Sequence, residues 1–262
     1  MPHVDTATWL QPLRERGLIP GDCLAAFVVG SAARGWHNER SDFDVYIVSP
    51  DEWESTSCAT IAMPLNPPRV RTETFYASDR RWEATYWLKG QFEQMFAKVS
   101  WGEYNRGVLS ARVLAPREEL ALSRLQNCLV LLGEEWIDAS RQRLSESAFR
   151  SFVVTRSLGA ADDCVEDALG QMDAGNLESA TLSARAALGF AVDALLEGQG
   201  EYGSPLPKWR PNRFRAVSSE FLSFEDYWAL ETMRGYDPDD PRPWINDVLT
   251  ICQEIAMRVD TV

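Results

Sequence analysis

Two carboxylates spaced one residue apart carry the clearest chemistry in this sequence. Ten residues separate the pair Gly30-Ser31 from Asp42, Asp44 follows two positions later, and apolar runs lie on both sides of this stretch. Residues i and i+2 of a β-strand project from the same face, so the two carboxylates are expected to point together. Paired carboxylates repel each other unless cations lie between them, and hard oxygen ligands of this kind suit Mg²⁺ bound to substrate phosphates.

The turn before the carboxylates offers a place for a phosphate. Gly30 lets the backbone turn tightly after a strand, and Ser31 offers a hydroxyl and an N–H group. Arg34 is expected either to contact phosphate or to stabilise this turn, and the two interpretations carry equal weight. Arg40 lies in the loop before Asp42, where it is a further candidate phosphate contact.

This pattern resembles the nucleotidyltransferase superfamily that includes DNA polymerase beta and the aminoglycoside nucleotidyltransferases. Those proteins share a strand, Gly-Ser or Gly-Gly, a spacer of similar length, and then Asp-x-Asp or Asp-x-Glu at the start of the next strand. The form Gly-Ser-x-Ala-Arg-Gly here is most similar to the small bacterial members. The resemblance implies two Mg²⁺ ions held by Asp42, Asp44 and a third acid, with the nucleotide contacted by Gly30, Ser31, Arg34 and Arg40.

The third acid is expected on a later strand, and Glu83 is the best candidate. It interrupts a run from Arg80 to Leu88 that is rich in aromatic residues, and a buried acid is rare unless it is paired or binds metal. Its expected role is either metal ligand or general base on the acceptor hydroxyl. Glu73 is the competing candidate, and the structural alternative for Glu83 is a salt bridge with Arg81 or Arg71.

The charge of the chain bears on its substrate. The net charge is −13, from 26 basic and 39 acidic residues. Proteins that hold nucleic acid need basic surface for the phosphate backbone, so a small-molecule acceptor is expected and a nucleic-acid partner is not. The basic stretch from Lys208 to Arg215 suits a triphosphate better than a nucleic-acid track. An acidic surface favours a cationic acceptor such as an aminoglycoside.

Composition also indicates the compartment. The five cysteines are scattered, odd in number and free of Cys-x-x-Cys pairs, which predicts a reducing cytoplasm and no zinc or disulfide framework. No apolar run approaches the roughly 20 residues that span a bilayer, and the N-terminus shows no basic-then-apolar signal pattern, so no membrane association is expected. The sequence leaves the oligomeric state open.

The patterning predicts an α+β protein: a nucleotidyltransferase domain with a small mixed sheet over 1–117, followed by an all-α helical bundle over 118–262. Strands are predicted near 24–30, 43–49, 80–88 and 107–114. Apolar residues at three-to-four-residue spacing predict helices. These helices are expected near the N-terminus and over 91–99, 120–136, 147–169, 177–196, 221–233 and 245–257.

A nucleotidyltransferase domain followed by a helical bundle resembles the aminoglycoside nucleotidyltransferases, in which the bundle contributes to acceptor binding. Lys208, followed by Trp209 after a Pro-rich loop, is similar to a Lys-Trp element whose lysine reaches the triphosphate in several nucleotidyltransferases. The alternative is an exposed loop lysine. The acidic stretch from Asp162 to Asp167 is either an acceptor-binding element or a solvated helix face.

The expected reaction is transfer of an NMP, with AMP from ATP as first choice, to a hydroxyl of a small molecule such as an aminoglycoside-like antibiotic. Pyrophosphate is released. The alternative is a minimal nucleotidyltransferase fused to a HEPN-like bundle that modifies or regulates a protein partner. A ribonuclease role for that bundle is excluded because no histidine follows His37. A nucleotide-binding pseudoenzyme is a third interpretation, which the intact acids disfavour.

Overall fold

The computed structural model describes residues 6–53, 57–107, 113–203, 206–217, 219 and 221–261. The chain divides into two units by its internal contacts. The first comprises Met1–Glu103 and Arg112–Ser147, and the second comprises Tyr104–Ala111 and Ala148–Val262. The division differs from the predicted boundary at residue 117, because the segment 118–147 supplies a strand and two helices to the first unit.

The first unit is built on a mixed sheet of six strands in the order β3-β4-β5-β2-β1-β6. Among the described strands, β2 and β5 run parallel and the other neighbouring pairs run antiparallel. The strands are β1 (Ala25–Val29), β2 (Phe43–Ser49), β3 (Ala59–Ala62), β4 (Arg69–Ala77), β5 (Arg80–Leu88) and β6 (Leu129–Leu132).

Side chains on both faces of this sheet are buried. On one face, Leu10 and Leu13 of the first helix pack with Val28 and Ile47 in a single apolar cluster. The helices of this unit are α1 (Thr6–Glu15), α2 (Gly30–Ala33), α3 (Lys89–Lys98), α5 (Pro116–Gln126) and α6 (Glu134–Glu146), and α4 (Trp101–Asn105) begins in this unit and ends in the second. On the other face, aromatic rings meet edge to face where Tyr46 contacts Phe27 and Trp87.

The second unit is helical. Its longest helices, α7 and α8, are joined by a turn at 174–176 and pack along each other, with α11 against both. Its helices are α7 (Phe149–Asp173), α8 (Leu177–Gly198), a 3-10 turn (Pro207–Trp209), α9 (Arg210–Ala216), α10 (Phe224–Glu231) and α11 (Arg242–Arg258). Of the described helices, α8 alone is long and apolar enough to cross a bilayer, and 67% of its apolar window is buried within the protein, as in a core helix.

A buried ion network ties the segment after α8 back to that helix. Asp193 receives hydrogen bonds from Arg210 Nη2 at 2.9 Å and from Arg213 Nη1 at 2.7 Å. One turn later, Glu197 accepts from Ser157 Oγ at 2.7 Å. Burial raises the pKa of Glu197 to about 8, against the opposing effect of the neighbouring Arg156.

The predicted α+β organisation is confirmed, and the predicted strands at 24–30, 43–49 and 80–88 are present as β1, β2 and β5. Strands β3 and β4 were not among the predicted strands; the proline-rich segment with Pro64, Pro67 and Pro68 suggested a loop or a strand edge before Glu73. The predicted strand near 107–114 lies mostly outside the described residues.

The continuous helix predicted over 120–136 is wrong, because it is broken by strand β6. The run Leu129–Leu132 is uniformly apolar, and such a run fits a buried helix turn as well as a strand. The structure resolves the ambiguity by pairing β6 with β1.

Gly133 shows why the chain turns at that point. Its φ of +75° is a left-handed conformation that favours glycine. A Cβ atom there would lie 1.9 Å from the carbonyl oxygen of Leu24. The close backbone approach therefore requires glycine between β6 and α6.

Candidate active site

The sheet register brings the predicted acids together at the start of β2 and β5. Asp44 lies opposite Val29 of β1 on one side and opposite Glu83 of β5 on the other. Asp42 directly precedes β2, and its position two residues before Asp44 places it toward the same face. Because β2 and β5 are parallel, both strands begin at this edge, so three carboxylates lie at one end of the sheet.

Glu73 lies on the other face of the sheet. It is opposite Ala84 in the antiparallel pair of β4 with β5, whereas Glu83 is opposite Thr74. Facing residues share a side, and consecutive residues alternate, so Glu73 projects away from the carboxylates. Its carboxylate instead lies 3.8 Å from the Cys58 thiol. The geometry thus favours Glu83 as the third acid.

The turn after β1 lies against Asp44. Gly30 has a φ of +70°, and a Cβ atom added to it would lie 3.0 Å from Asp44 Oδ2. Ser31 follows in the one-turn helix α2, and its carbonyl accepts a hydrogen bond from the Trp36 N–H at 2.9 Å. Glycine at position 30 therefore lets the Gly30-Ser31 backbone approach the carboxylate, as the sequence motif predicts.

The two arginines predicted near the nucleotide lie in the loop between β1 and β2. The Arg34 guanidinium stacks over the Trp36 ring at 3.9 Å, which fits its loop-stabilising interpretation. Arg40 is exposed, and its backbone N–H donates to Asn38 Oδ1 at 2.9 Å. The loop is tied to β5 because Arg80 donates to the carbonyl oxygens of Asn38 and Ser41.

Arg124 of α5 is a site residue that sequence reasoning missed. Its Nη2 lies 3.4 Å from Asp44 Oδ2, and its Nη1 donates to the Tyr46 hydroxyl at 2.6 Å. Tyr46 follows Asp44 by two residues on β2, which predicts that both face the same way. Arg124 lies 80 residues further along the chain, so no local pattern connects it with Asp44.

Charge and burial act against each other at Asp44. Burial raises the pKa of its carboxyl group, and Arg124 opposes that effect, while the nearby Asp42 and Glu83 carboxylates raise the pKa further. The net pKa lies above the ordinary value for aspartate. Burial alone would lower the pKa of Arg124, but the adjacent Tyr46 and Asp44 raise it above its usual range.

The salt bridge considered as the structural alternative for Glu83 is present. Arg81 Nη2 lies 3.1 Å from Glu83 Oε2, and its Nη1 lies 3.2 Å from Asp42 Oδ2. Arg71 instead lies 3.6 Å from Glu52. Among the described residues, no three His, Cys, Asp or Glu side chains are gathered into a ready-made metal site. Arg81 bridges two of the three carboxylates, Asp42 and Glu83.

The remaining candidates lie in the second unit. Lys208 is exposed on the 3-10 turn, and its Nζ lies 4.9 Å from the centroid of the Trp209 ring. Its assignment to the triphosphate stays a prediction. Asp162, Asp163, Glu166 and Asp167 are all exposed on α7, as a solvated helix face would be.

Comparison with protein families agrees with the sequence motif. Residues 20–94 match the nucleotidyltransferase domain family, which confirms the resemblance drawn from Gly30-Ser31 and Asp42-x-Asp44. A nucleotidyltransferase-like protein from Exiguobacterium sibiricum 255-15 aligns with a TM-score of 0.49 and 11% identity, over 96% of this chain and 74% of the other. No curated protein matches the chain. Residues 20–94 form a nucleotidyltransferase domain by this family match, and the general activity of that domain is transfer of a nucleotidyl group.

Proposed function

We propose, on the premise of the nucleotidyltransferase domain at residues 20–94, that the protein transfers an NMP from an NTP to a hydroxyl group of a small molecule. AMP from ATP is the first choice, and pyrophosphate is the second product. The observation that carries the proposal is the register that sets Asp44 beside Glu83 and against Gly30. An ordinary structural acid pair does not require a glycine turn at that distance.

The carboxylates fit a divalent metal by their donor chemistry. Asp42, Asp44 and Glu83 offer hard oxygen atoms at the edge where two adjacent strands begin, and carboxylates together with substrate phosphates are the ligands that Mg²⁺ prefers. These three residues would hold two Mg²⁺ ions. When bound, the ions would supply Lewis-acid activation of the acceptor hydroxyl and stabilisation of the pyrophosphate leaving group.

The protein's own groups then bind and orient the substrates. The Gly30-Ser31 backbone and the Ser31 hydroxyl would hold a phosphate beside Asp44, with Arg34 and Arg40 as neighbouring cations. Arg124 fixes the Asp44 carboxylate from the α5 side. Glu83 either contributes to the metal site or accepts the proton of the acceptor hydroxyl, since both roles need a carboxylate at this edge of β5. Positioning and charge neutralisation supply most of the acceleration in phosphoryl transfer.

The choice of acceptor rests on charge. A net charge of −13 favours a cationic acceptor, so an aminoglycoside-like compound in the cytoplasm is the first choice. The nucleotide and the acceptor can be identified by a screen of the four NTPs against antibiotics and metabolites, with pyrophosphate release as the readout. Labelling of a protein partner instead of any small molecule would support the alternative of a protein-modifying enzyme.

The experiment that tests the proposal replaces each aspartate with its amide. Asp42→Asn and Asp44→Asn keep the size of the side chain but remove the charge that binds the metal. Each is expected to lower Mg²⁺-dependent pyrophosphate release by at least about 10²-fold while the thermal transition stays nearly unchanged. Asp22→Asn is the matched control, because Asp22 lies in the exposed turn before β1. Near-wild-type turnover in either site variant would refute the proposal.

A further inference from the structure

Arg81 joins two of the proposed metal ligands in one bridge. Its Nη1 lies 3.2 Å from Asp42 Oδ2 and its Nη2 lies 3.1 Å from Glu83 Oε2. Arg81 precedes Glu83 by two residues on β5, so the alternation of the strand directs both side chains to one face. The two ends of the guanidinium therefore contact two different carboxylates, rather than both oxygens of one.

The bridge changes the charge that an incoming ligand meets. Three carboxylates alone would attract a free divalent cation strongly and would repel an NTP. Arg81 and Arg124 oppose them with two positive charges and leave a single net negative charge. A lone divalent cation is attracted less to this site, whereas a metal–NTP complex, which is negative overall, is repelled less.

We propose that Arg81 is an internal counter-ion of the site that makes the divalent cation and the nucleotide bind together. It occupies Asp42 and Glu83 until a metal–NTP complex displaces it, and it disfavours binding of the cation alone. The inference rests on the proposed function, because it requires these carboxylates to be metal ligands.

The solvent exposure of the Arg81 ion pairs is consistent with contacts that break when a ligand binds and re-form when it leaves. The side chains of Arg81, Asp42 and Glu83 are 44%, 48% and 27% exposed. Ion pairs with this much solvent contact contribute little to stability, so they break when a stronger cation arrives. Loss of Arg81 is accordingly expected to leave the fold intact.

The test titrates Mn²⁺ into the nucleotide-free full chain by calorimetry and electron paramagnetic resonance. Arg81→Gln is expected to bind Mn²⁺ alone about three- to ten-fold more tightly than the wild type, because the competing cation is removed. With Mn²⁺ and ATP at equal concentrations, so that little free Mn²⁺ fills the site, the same variant is expected to bind the Mn²⁺–ATP complex more weakly, because the uncompensated carboxylates repel it.

Arg69→Gln is the matched control. Arg69 pairs with Glu52 at 2.8 Å, with exposures of 44% and 29%, on strand β4 of the same sheet. The Arg69→Gln substitution removes the same charge as Arg81→Gln, but from a similar ion pair that does not involve Asp42 or Glu83. This control is expected to bind Mn²⁺ as the wild type does.

Unchanged or weaker Mn²⁺ binding in Arg81→Gln would overturn the inference, and so would an equal gain in Arg69→Gln. Asp44→Asn separates this failure from that of the proposed function. If Asp44→Asn loses Mn²⁺–ATP binding while Arg81→Gln behaves as the wild type, only the counter-ion role fails. If Asp44→Asn binds Mn²⁺–ATP normally, the proposed function itself is refuted.

Discussion

At the scale of single residues, Asp42 and Asp44 look alike in the sequence and differ in the structure. Asp42 is 48% exposed and pairs with Arg81, whereas Asp44 is 27% exposed and faces Arg124. Burial raises the pKa of Asp44, so this carboxylate depends more on a nearby cation to stay ionised than an exposed one does. Sequence spacing predicts that the two project together, but it cannot supply Arg124, which arrives from another element.

The third acid can be tested at the same scale. Glu83→Gln is expected to lower the rate of pyrophosphate release by about 10²- to 10⁴-fold, because either of its roles acts in the transition state. Steady-state kinetics with saturating Mg²⁺ and NTP measures this loss.

Glu73→Gln provides the comparison, since it changes the same chemistry on the opposite face of the sheet. The Glu73→Gln variant should release pyrophosphate at a rate close to that of the wild type. If Glu73→Gln is the more damaging change, the assignment of the third acid is incorrect.

At the scale of elements, the sequence predicted the strands whose patterns are local. Strands β1, β2 and β5 combine apolar runs with turn residues at their ends, and the site acids lie in or directly before two of them, β2 and β5. Strand β4 was missed because Pro67 and Pro68 stand just before it, and β6 was missed because Leu129–Leu132 has no alternation. Register could not be predicted, since it depends on which strands pair.

The close approach of Gly133 to the Leu24 backbone can be tested at the scale of elements. Gly133→Ala is expected to destabilise the first unit by about 3 kcal/mol or more, because the new methyl group would collide with the Leu24 backbone that precedes β1. Thermal unfolding followed by circular dichroism measures the loss.

Gly175→Ala is the matched control, because Gly175 has a φ of +78° but nothing within 4 Å of an added Cβ atom. It should cost only about 1 kcal/mol, from the left-handed backbone alone. Equal losses in the two variants would show that conformation, and not the close approach of β6 to β1, requires glycine at position 133.

At the scale of the whole molecule, charge distinguishes between kinds of acceptor. The basic stretch from Lys208 to Arg215 is the main basic segment of the sequence, but part of it is buried. Arg210 and Arg213 are 7% and 2% exposed and both pair with Asp193. Less basic surface is therefore available to a nucleic acid than the sequence suggests.

The Kd of the chain for nucleic acid is accordingly expected to exceed about 10⁻⁴ M at physiological salt, which is the weak end of the range for non-specific binding. Fluorescence anisotropy with labelled tRNA and single-stranded DNA measures this at two salt concentrations. Tight binding that falls steeply as salt rises would instead indicate a phosphate-backbone track and a nucleic-acid acceptor.

The pairing of β6 with β1 determines how the protein can be cut into pieces. Strand β1 is fully buried along Ala25–Val29, and its outer neighbour β6 follows it by about a hundred residues. A fragment that stops at residue 117 would expose an apolar strand with unpaired backbone groups, which is a template for association between chains. Such a fragment would aggregate although it contains every acid of the site, whereas one that runs to Ser147 keeps that edge covered.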